Sequence, residues 1–423
     1  MYGNRNCRVC TLVLGAMLCV TGCTGADHSN TSKQAATELP PLITSADSDE
    51  SEAVSENDTK SQEEADLPAF QGKVTQWKLP EELGSVQVIR YYDGCVYLLG
   101  QYQNEDELAK SVLFRAAVQP EPQFSQLFSG DAAENMQGMV DFTILSDGTI
   151  CGLICENSTA VPYDDPDFDP NEFDWESYYE NYSTQYRLVW YNADGTVSRK
   201  MGLSALLDMD ESTKQTLVYT SVRSDASDRV YLTATVDEKD YLMALDGNGN
   251  LCAVQGVNEN TLQLTPVYQW VCSGESGMLL WEKQADNAMC LSHVIVTDGA
   301  LWRTPITAAP QMTEKTMLAE SAEKEVCYCF WDTQGIYQVA DKNTEPILLY
   351  SWKELGVSPE DIDRALLLPA QQVLFAVYSA QGALSVQLIT PSETESEKQT
   401  GTSDTAPDPG TETVPVATPV NFS

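Results

Sequence analysis

Short apolar runs recur along the chain at a nearly constant spacing. Six of them begin at Val96, Ile150, Val230, Met278, Val326 and Val373. The last four start 48, 48 and 47 residues apart, and each run follows an apolar, strand-like segment. Most are introduced by a turn signal such as Asp93-Gly94 or Asp147-Gly148. A period of 40–50 residues filled with short strands and turns is typical of a β-propeller, in which each period forms one blade.

The pattern predicts six four-stranded blades, of which the sixth supplies only three strands: Ala365–Leu368, Gln372–Tyr378 and Leu384–Ile389. A strand-like segment at Val74–Leu79 belongs to no hairpin of its own, and we expect it to complete the sixth blade. Such a strand joins the first and last blades and removes an exposed sheet edge. In blade four the apolar pattern places the first strand at Pro266–Cys272. The fold class is therefore all-β, a six-bladed propeller closed by an N-terminal strand.

The first 22 residues have the features of a cleaved signal peptide. Arg5 and Arg8 give a positive start, and Val9–Val20 is an apolar stretch of twelve residues. A membrane-spanning helix needs about 20 apolar residues, so cleavage is favoured over spanning. The final residues, Val20-Thr21-Gly22-Cys23, resemble the bacterial lipobox, whose cysteine is diacylated and becomes the mature N-terminus. We predict lipidation of Cys23; the alternative is an ordinary signal peptide with a chance cysteine.

The predicted propeller spans residues 68–391. The segments on either side of it have the composition of linkers. Residues 23–67 contain eleven acidic residues against Lys33 and Lys60 and have no aromatic residue. Residues 392–423 are rich in Thr, Ser, Pro and acids. Neither segment offers enough apolar surface to offset the entropy of ordering, so we expect a disordered tether and a disordered tail. The tail is expected to be a free end or the junction to a further part of a longer design.

The formal net charge of −39 limits the classes of partner. Nucleic-acid phosphates require clustered Lys and Arg, so a nucleic-acid partner is not expected. Electrostatic attachment to anionic lipid headgroups is disfavoured for the same reason. We therefore expect membrane attachment through the lipid on Cys23, an extracytoplasmic location, and a protein or glycan ligand.

Eight cysteines remain after the signal segment and Cys23 are set aside: Cys95, Cys151, Cys155, Cys252, Cys272, Cys290, Cys327 and Cys329. They lack the Cys-x-x-Cys spacing that metal and redox sites favour. Two interpretations stay open. The cysteines are small buried apolar residues, or some of them pair in disulfides, which an exported protein permits.

One blade is longer than the others because Ile150 and Val230 lie 80 residues apart, about 32 more than the later period. The excess maps to residues 161–185, which we call the insertion. Between Tyr163 and Tyr182 it holds eight acids, seven aromatics and no base. Long loops on rigid scaffolds often bind ligands. The candidate contact residues are Tyr163, Asp164, Asp165, Asp167, Asp169, Trp175, Tyr178 and Tyr179.

Aromatics interleaved with carboxylates suit stacking on sugars, a cationic ligand, or Ca²⁺ through oxygen ligands. The alternative is a solvated loop whose aromatic residues fold back onto the propeller. A second acidic turn, Asp246–Asn250, imitates the start of an EF-hand loop. However, Leu251 stands where that loop needs glycine, and Val257 stands where it needs a bidentate Glu. We predict a hairpin turn there, and we expect no cofactor beyond Ca²⁺ as a candidate at the insertion.

Candidate catalytic residues are few. His28 lies in the tether, which leaves His293 alone on a predicted strand. The sequence suggests neither a Ser-His-Asp nor a Cys-His arrangement. A carboxylate pair for glycoside hydrolysis stays open, because 63 acidic residues always offer some pair. We expect a non-enzymatic protein, with a carbohydrate-active enzyme as the alternative.

Taken together, these features resemble those of the N-terminal propeller region of extracellular solute-binding lipoproteins from Clostridia and related Firmicutes. The resemblance rests on Cys23, the turns at Asn192–Gly195 and Asp246–Asn250, and the acidic aromatic insertion before Tyr186–Tyr191. It implies a cell-surface propeller accessory to solute or sugar uptake. In those proteins a solute-binding domain follows the propeller, and here linker-like sequence follows it, so no family binding residue is carried over. A scaffold for envelope protein assembly is a further alternative.

Overall fold

The structure is a computed structural model, and it describes the greater part of residues 72–392. The described ranges are 72–102, 110–130, 138–157, 184–204, 217–236, 239–257, 261–267, 277–283, 289–306, 316–323, 326–340, 344–379 and 382–392, with the single residues Asp169, Glu172, Asp174, Ser177 and Leu206. The predicted signal peptide, Cys23, the tether and nearly all of the tail lie outside these ranges. Within them, no helix has the length and apolar character that crossing a membrane requires.

The first described strand is β1 (Gly72–Gln76). Blade one follows as β2 (Ser85–Tyr92), β3 (Cys95–Tyr102), β4 (Lys110–Ala117) and β5 (Ser125–Ser129). Blade two comprises β6 (Gly138–Ile144), β7 (Ile150–Asn157), β8 (Thr184–Tyr191) and β9 (Val197–Gly202). Blade three comprises β10 (Val218–Ser224), β11 (Val230–Val236), β12 (Lys239–Leu245) and β13 (Leu251–Val257).

Blade four comprises β14 (Thr261–Val267), β15 (Gly277–Lys283), β16 (Met289–Thr297) and β17 (Ala300–Pro305). Blade five comprises β18 (Met317–Ser321), β19 (Tyr328–Trp331), β20 (Gly335–Val339) and β21 (Ile347–Ser351). A short helix, α1 (Trp352–Leu355), and a 3-10 turn at Pro359–Asp361 lead into blade six. That blade comprises β22 (Ile362–Leu368), β23 (Gln372–Tyr378) and β24 (Leu384–Pro391), with a 3-10 turn at Pro369–Gln371 between its first two strands.

The blades are antiparallel sheets whose strands follow chain order from the innermost to the outermost. Blade six is completed by β1, which pairs with β24 from Gly72 opposite Pro391 to Gln76 opposite Gln387. The predicted six-bladed propeller with an N-terminal closing strand is confirmed. The closing strand begins two residues before the predicted Val74 and ends at Gln76 rather than Leu79. Trp77 follows directly: its N–H still donates to Val386 O at 2.9 Å, and its side chain is buried, with 2% of its surface exposed.

The first strand of blade four begins earlier than predicted. It lies at Thr261–Val267, whereas the predicted strand was Pro266–Cys272, of which residues 268–272 lie outside the described residues. The apolar residues after Pro266 favoured the later position in the sequence. The pairing with β15 decides otherwise, because Val267 already lies opposite Gly277, the first residue of that strand.

The first strands of the six blades form an inner ring in which each strand contacts the next: β2, β6, β10, β14, β18 and β22. Two of them, β18 and β22, also pair directly and in parallel, with Glu320 opposite Leu366. Five of these six strands contain a register shift against their second strand, for example between Val86 and Val88 and between Met139 and Asp141. A bulge sharpens the local twist of a strand. The repeated bulge therefore helps these five blades to twist away from the ring.

Buried apolar side chains fill the spaces between neighbouring blades. Blades one and two are joined by a cluster that includes Val88, Leu99, Phe142 and Val189. Blades six and one share another cluster, which includes Trp77, Ile89, Leu366 and Leu388. Full burial of a large apolar side chain stabilises a fold by about 1.5–3 kcal/mol. These clusters make the contacts between blades a principal source of stability.

Turns of one geometry connect several strands. In five of them, the residue at the fourth position has a positive φ: Gly148, Gly195, Asp228, Gly249 and Gly382. In the turn at Asp246–Asn250, for example, Gly249 N donates to Asp246 O at 2.8 Å and Asp246 N donates to Asn250 O at 2.9 Å. Two further hairpins have two-residue turns with both φ values positive, at Asp93-Gly94 and Asp298-Gly299. This is the backbone that Asp-Gly pairs favour in hairpins.

Candidate functional site

The two ends of the sheets carry different connections. The turns after the first and third strands of the blades lie at one end, which we call the turn end. Gly72 and Pro391, the outer residues of the closing pair, also lie there, because β24 is a third strand and runs toward that end. The insertion follows a second strand, leaving after Asn157 and returning at Thr184, which lies opposite it. The insertion is therefore attached at the opposite end, which we call the insertion end.

Four charged side chains from the inner ring meet at the centre of the propeller. They are Arg90 of β2, Asp141 of β6, Arg223 of β10 and Glu320 of β18, and we call them the central charge network. Arg90 Nη2 donates to Asp141 Oδ1 at 3.1 Å, and Arg90 Nη1 donates to Glu320 Oε1. Arg223 Nη1 donates to Asp141 Oδ2, and Arg223 Nε lies 3.6 Å from Glu320 Oε1. Each charged group thus contacts two groups of opposite sign.

The network is buried and further supported by backbone groups. Between 4% and 11% of each of the four side chains is exposed. Asp141 also accepts from the backbone N–H groups of Phe142 at 2.8 Å and Val222 at 2.9 Å. The Arg90 guanidinium lies 5.6 Å from the centre of the Phe142 ring. Buried charges are tolerated when they are paired and hydrogen-bonded, and all four groups satisfy this condition.

The four charged groups hold the inner strands together and do not form an acid–base pair. Arginine remains protonated and has no lone pair to accept a proton. Asp141 and Glu320 each hold guanidinium groups, so this pair lacks the free carboxylates that flank a bond in glycoside hydrolysis. The contacts instead connect blades one, two, three and five across the centre of the ring. We assign the network to the positioning of the inner strands.

Sequence reasoning missed this network. Its members are far apart in the chain, with 51 residues between Arg90 and Asp141 and 230 between Arg90 and Glu320. The available signal was a charged residue within the first strand, repeated in four blades. A single buried charge is costly, so the repetition of this feature in corresponding strands indicates that the charges meet.

Of the candidate contact residues in the insertion, the structure describes Asp169, which is exposed. Its carbonyl oxygen accepts a hydrogen bond from the N–H of Glu172 at 3.1 Å. Nearby, Ser177 N donates to Asp174 Oδ1 at 3.0 Å. The other candidates lie outside the described residues: Tyr163, Asp164, Asp165, Asp167, Trp175, Tyr178 and Tyr179. The proposed contact surface of the insertion therefore stays a prediction.

The base of the insertion is well defined. Arg187 Nη1 forms an ion pair with Glu156 Oε2 at 2.9 Å, between the two strands that lead out of and back into the blade. About a third of the Arg187 side chain and 20% of the Glu156 side chain are exposed, so solvent screens this pair more than it screens the central charge network. Tyr186, beside it, is buried and its ring lies 5.3 Å from that of Tyr219 in blade three. The insertion is thus attached to a packed hairpin.

The Asp246–Asn250 segment is a hairpin turn, as predicted. Asp246 Oδ1 accepts from the N–H groups of Asn248 at 2.8 Å and Asn250 at 2.9 Å, and Oδ2 accepts from Asn250 Nδ2 at 2.9 Å. The side-chain hydrogen bond from Asn250, with the backbone bonds, lowers the pKa of Asp246. Arg199 donates to the carbonyl oxygen of Asn248, and its guanidinium lies 4.4 Å from the centre of the Trp190 ring. Over the described residues no group of three or more His, Cys, Asp or Glu side chains has the arrangement of a metal site.

The histidine and cysteine positions have structural surroundings. His293 is buried on β16, opposite Leu279 and Thr304. The seven cysteines that the structure describes are free thiols, of which four are buried: Cys151, Cys155, Cys327 and Cys329. Burial raises the pKa of Cys155 to about 11, and it also raises the pKa of Cys151 and Cys329. For these four, the interpretation as small buried residues is confirmed; Cys272 lies outside the described residues.

Comparisons with known proteins give no family for the chain. No family model matches it, and no curated protein matches it significantly. The similar solved structures include a protein of unknown function from Dyadobacter fermentans, with 12% identity, 77% of this chain and 100% of that chain covered, and a TM-score of 0.45. A protein from Lactobacillus plantarum has 10% identity, coverage of 76% and 85%, and a TM-score of 0.34. A glucose dehydrogenase has 8% identity, coverage of 71% and 77%, and a TM-score of 0.31. Similarity at this level carries no inference about function.

Proposed function

We propose that the protein is a cell-surface lipoprotein whose propeller is a non-enzymatic binding module accessory to the uptake of a solute such as a sugar. The observation that carries the non-enzymatic part of the proposal is the central charge network. The charged groups at the centre of the ring are committed to each other, and the inner strands are braced rather than arranged around free catalytic groups. Binding is then left to the connections at the ends of the blades.

The insertion is the element that supports a binding role most directly. It is attached at the end opposite Gly72 and Pro391, so a tether leading to the membrane does not leave from the same end of the sheets. Its eight acids and seven aromatics suit a glycan that stacks on rings or a protein surface with cationic groups. The overall charge of −39 disfavours nucleic acid. Envelope-assembly proteins and carbohydrate-active enzymes remain the alternative classes to be distinguished by experiment.

The anchor is tested separately from the binding role. Cells are fed an alkyne fatty acid, and the wild-type protein is compared with a Cys23→Ser variant by labelling and membrane fractionation. We expect the wild type to be labelled and to sediment with membranes, because two acyl chains anchor stably. The variant should be unlabelled and should leave the membrane fraction. Equal labelling of both proteins, or no labelling of the wild type, would contradict lipidation at Cys23.

The binding role is tested by using the intact lipoprotein as bait in detergent-solubilised membranes, with mass spectrometry as the readout. Enrichment of importer permeases or of a separate solute-binding protein supports the proposal. Enrichment of envelope-assembly proteins supports the scaffold alternative instead. If no protein is enriched, the purified protein is tested on a glycan array. Absence of binding in both assays would overturn the proposal.

A further inference from the structure

The two chain segments outside the propeller leave it from directly opposed residues. Gly72 begins β1 and Pro391 ends β24, and the two are partners in the antiparallel pair. A pull on the chain before Gly72 and after Pro391 therefore acts on one end of this pair. Under such a load the hydrogen-bonded pairs separate one after another, whereas a load on opposite ends would strain all of them at once. Peeling of this kind needs a smaller force than shear.

The closing strand is weakly held compared with its neighbour. It has five residues, pairs with β24 alone, and none of its residues is buried. The neighbouring β24 contains Val386, Leu388 and Ile389, which are buried. Segments with few buried apolar contacts open locally at a lower free-energy cost than the core. β1 is therefore the element that we expect to open first.

Peeling should stop at Trp77. This side chain is 2% exposed, and its ring lies 6.1 Å from that of Phe124 in an edge-to-face arrangement. Its backbone N–H donates to Val386 O at 2.9 Å. Removing an indole of this size from a core costs about 3 kcal/mol or more. The segment that can be released at low force is thus limited to the five residues of β1.

The ring has other closures that do not involve β1. Between blades six and one, Val86 N donates to Tyr378 Oη at 3.0 Å, and Arg364 Nε donates to Gln87 O at 2.9 Å. The apolar cluster between the same blades and the contact of Arg90 with Glu320 add to these bonds. Loss of β1 therefore opens the outer edge of blade six without separating the blades.

We propose that β1 is a force-released strap. Tension between the membrane anchor and the segment after Pro391 peels β1 from β24, while the remaining ring stays closed. The released blade then presents the backbone edge of β24, and such an edge accepts a strand from another chain. The proposal rests on the lipid anchor proposed above as one point of attachment and on a second attachment at the segment after Pro391. The strap itself is a property of the propeller, so it is tested without the anchor.

The test is a single-molecule pulling experiment on the full mature chain with Cys23→Ser, held by tags placed within residues 24–67 and 393–423. We expect a small, reversible extension before the propeller unfolds. Each of the five released residues adds about 3.4 Å of extended chain, and the point at which the chain leaves β24 moves by the same distance along that strand. Together the two contributions limit the step to about 34 Å. In a second protein the N-terminal tag is inserted at Glu82, which is exposed and lies beyond Trp77. The load then bypasses β1, and the step should be absent.

A cross-linked variant provides the matched control. Lys73 and Thr390 are directly opposed, and opposed residues of antiparallel strands have the Cα separation that a disulfide bridges. The Lys73→Cys/Thr390→Cys protein should lack the early step when oxidised and regain it when reduced. Two results would overturn the proposal: unfolding of the whole propeller as the first event in the uncross-linked protein, or an early step that persists with the cross-link in place. Neither result depends on whether Cys23 is lipidated, so failure of the strap and failure of the anchor are distinguishable.

Discussion

At the scale of single residues, Asp228 shows how a locally unfavourable conformation is retained. It occupies the fourth position of a turn with φ of 60°, where the other four turns of this geometry have glycine. Its carboxylate accepts from Ser146 N at 2.7 Å and from Ser146 Oγ at 2.5 Å. These bonds connect a turn of blade three to a turn of blade two. The hydrogen bonds between the blades therefore offset the strain of the left-handed backbone conformation at Asp228.

Two substitutions separate these effects. Asp228→Ala removes the hydrogen bonds and keeps a side chain in the left-handed region, so we expect the free energy of unfolding to fall by about 2 kcal/mol. Asp228→Gly removes the same bonds but relieves the strain, and we expect a loss smaller by about 1 kcal/mol. Urea denaturation of both variants is the measurement. An alanine variant as stable as the glycine variant would contradict the account of this turn.

At the scale of elements, strands pack closely enough that some positions admit no side chain. A Cβ added to Gly100 in β3 would lie 1.7 Å from the carbonyl oxygen of Ser85 in β2. At Gly256 in β13 nothing lies within 4 Å of the added Cβ. Both glycines are inside strands and neither has a positive φ. They form a matched pair that differs in surroundings alone.

We expect Gly100→Ala to destabilise the protein by about 3 kcal/mol or to prevent folding, because backbone atoms must move to admit the methyl group. Gly256→Ala should change the free energy of unfolding by less than about 0.5 kcal/mol. Soluble yield, resistance to proteolysis and urea denaturation report both outcomes. Equal stability of the two variants would show that the β2–β3 contact is not as close as the structure has it.

Much of the architecture at this scale could be predicted from the sequence. Turn signals such as Asp93-Gly94 mark hairpins because their backbone requires positive φ, and alternating apolar residues mark strands with one buried face. The first strand of blade four was misplaced because residues 268–271 are more apolar than Thr261–Val267. Register with β15 fixed that strand, and register is a relation between strands that a local pattern does not contain.

At the scale of the whole molecule, the partners within the central charge network could not be assigned from the sequence for a similar reason. Asp141 and Arg223 are separated by 82 residues, and only the closed ring brings them together. The period of the apolar runs predicts a ring but not which side chains meet at its centre. The closing strand, in contrast, was predictable from the sequence. The pattern gave the sixth blade only three strands, and the strand-like segment at Val74–Leu79 belonged to no hairpin.

The network should be strongly coupled. Removing one member of a buried ion pair costs about 3–5 kcal/mol, because the remaining charge loses its partner. After Arg90→Met the two carboxylates keep Arg223 as a partner, and after Glu320→Gln the two guanidinium groups keep Asp141, so we expect each loss at the lower end of this range, about 3 kcal/mol. In the double variant Arg90→Met/Glu320→Gln the loss should be smaller than the sum by about 1–3 kcal/mol, since neither unpaired charge of this contact remains. Chemical denaturation of the four proteins closes the cycle.

The partly exposed pair of Glu156 and Arg187 is the control for this cycle. Its atoms approach within 2.9 Å, and 36% of the Arg187 side chain and 20% of the Glu156 side chain are exposed. The same cycle with Arg187→Met and Glu156→Gln should give a coupling below about 1 kcal/mol. If the coupling energy between Arg90 and Glu320 is as small as that between Arg187 and Glu156, the network does not hold the inner strands together.

The measurement that tests the central claim most directly is a comparison of three baits in the pull-down from solubilised membranes. The first is the wild type, and the second has residues 161–183 replaced by a Gly/Ser linker, which leaves β8 intact. The third is a control with residues 207–216 replaced in the same way, a connection attached at the same end of the blades. The account predicts a set of proteins recovered with the wild type and the control but not with the second bait, while all three baits show the same thermal unfolding. Recovery of the same set without the insertion would contradict it.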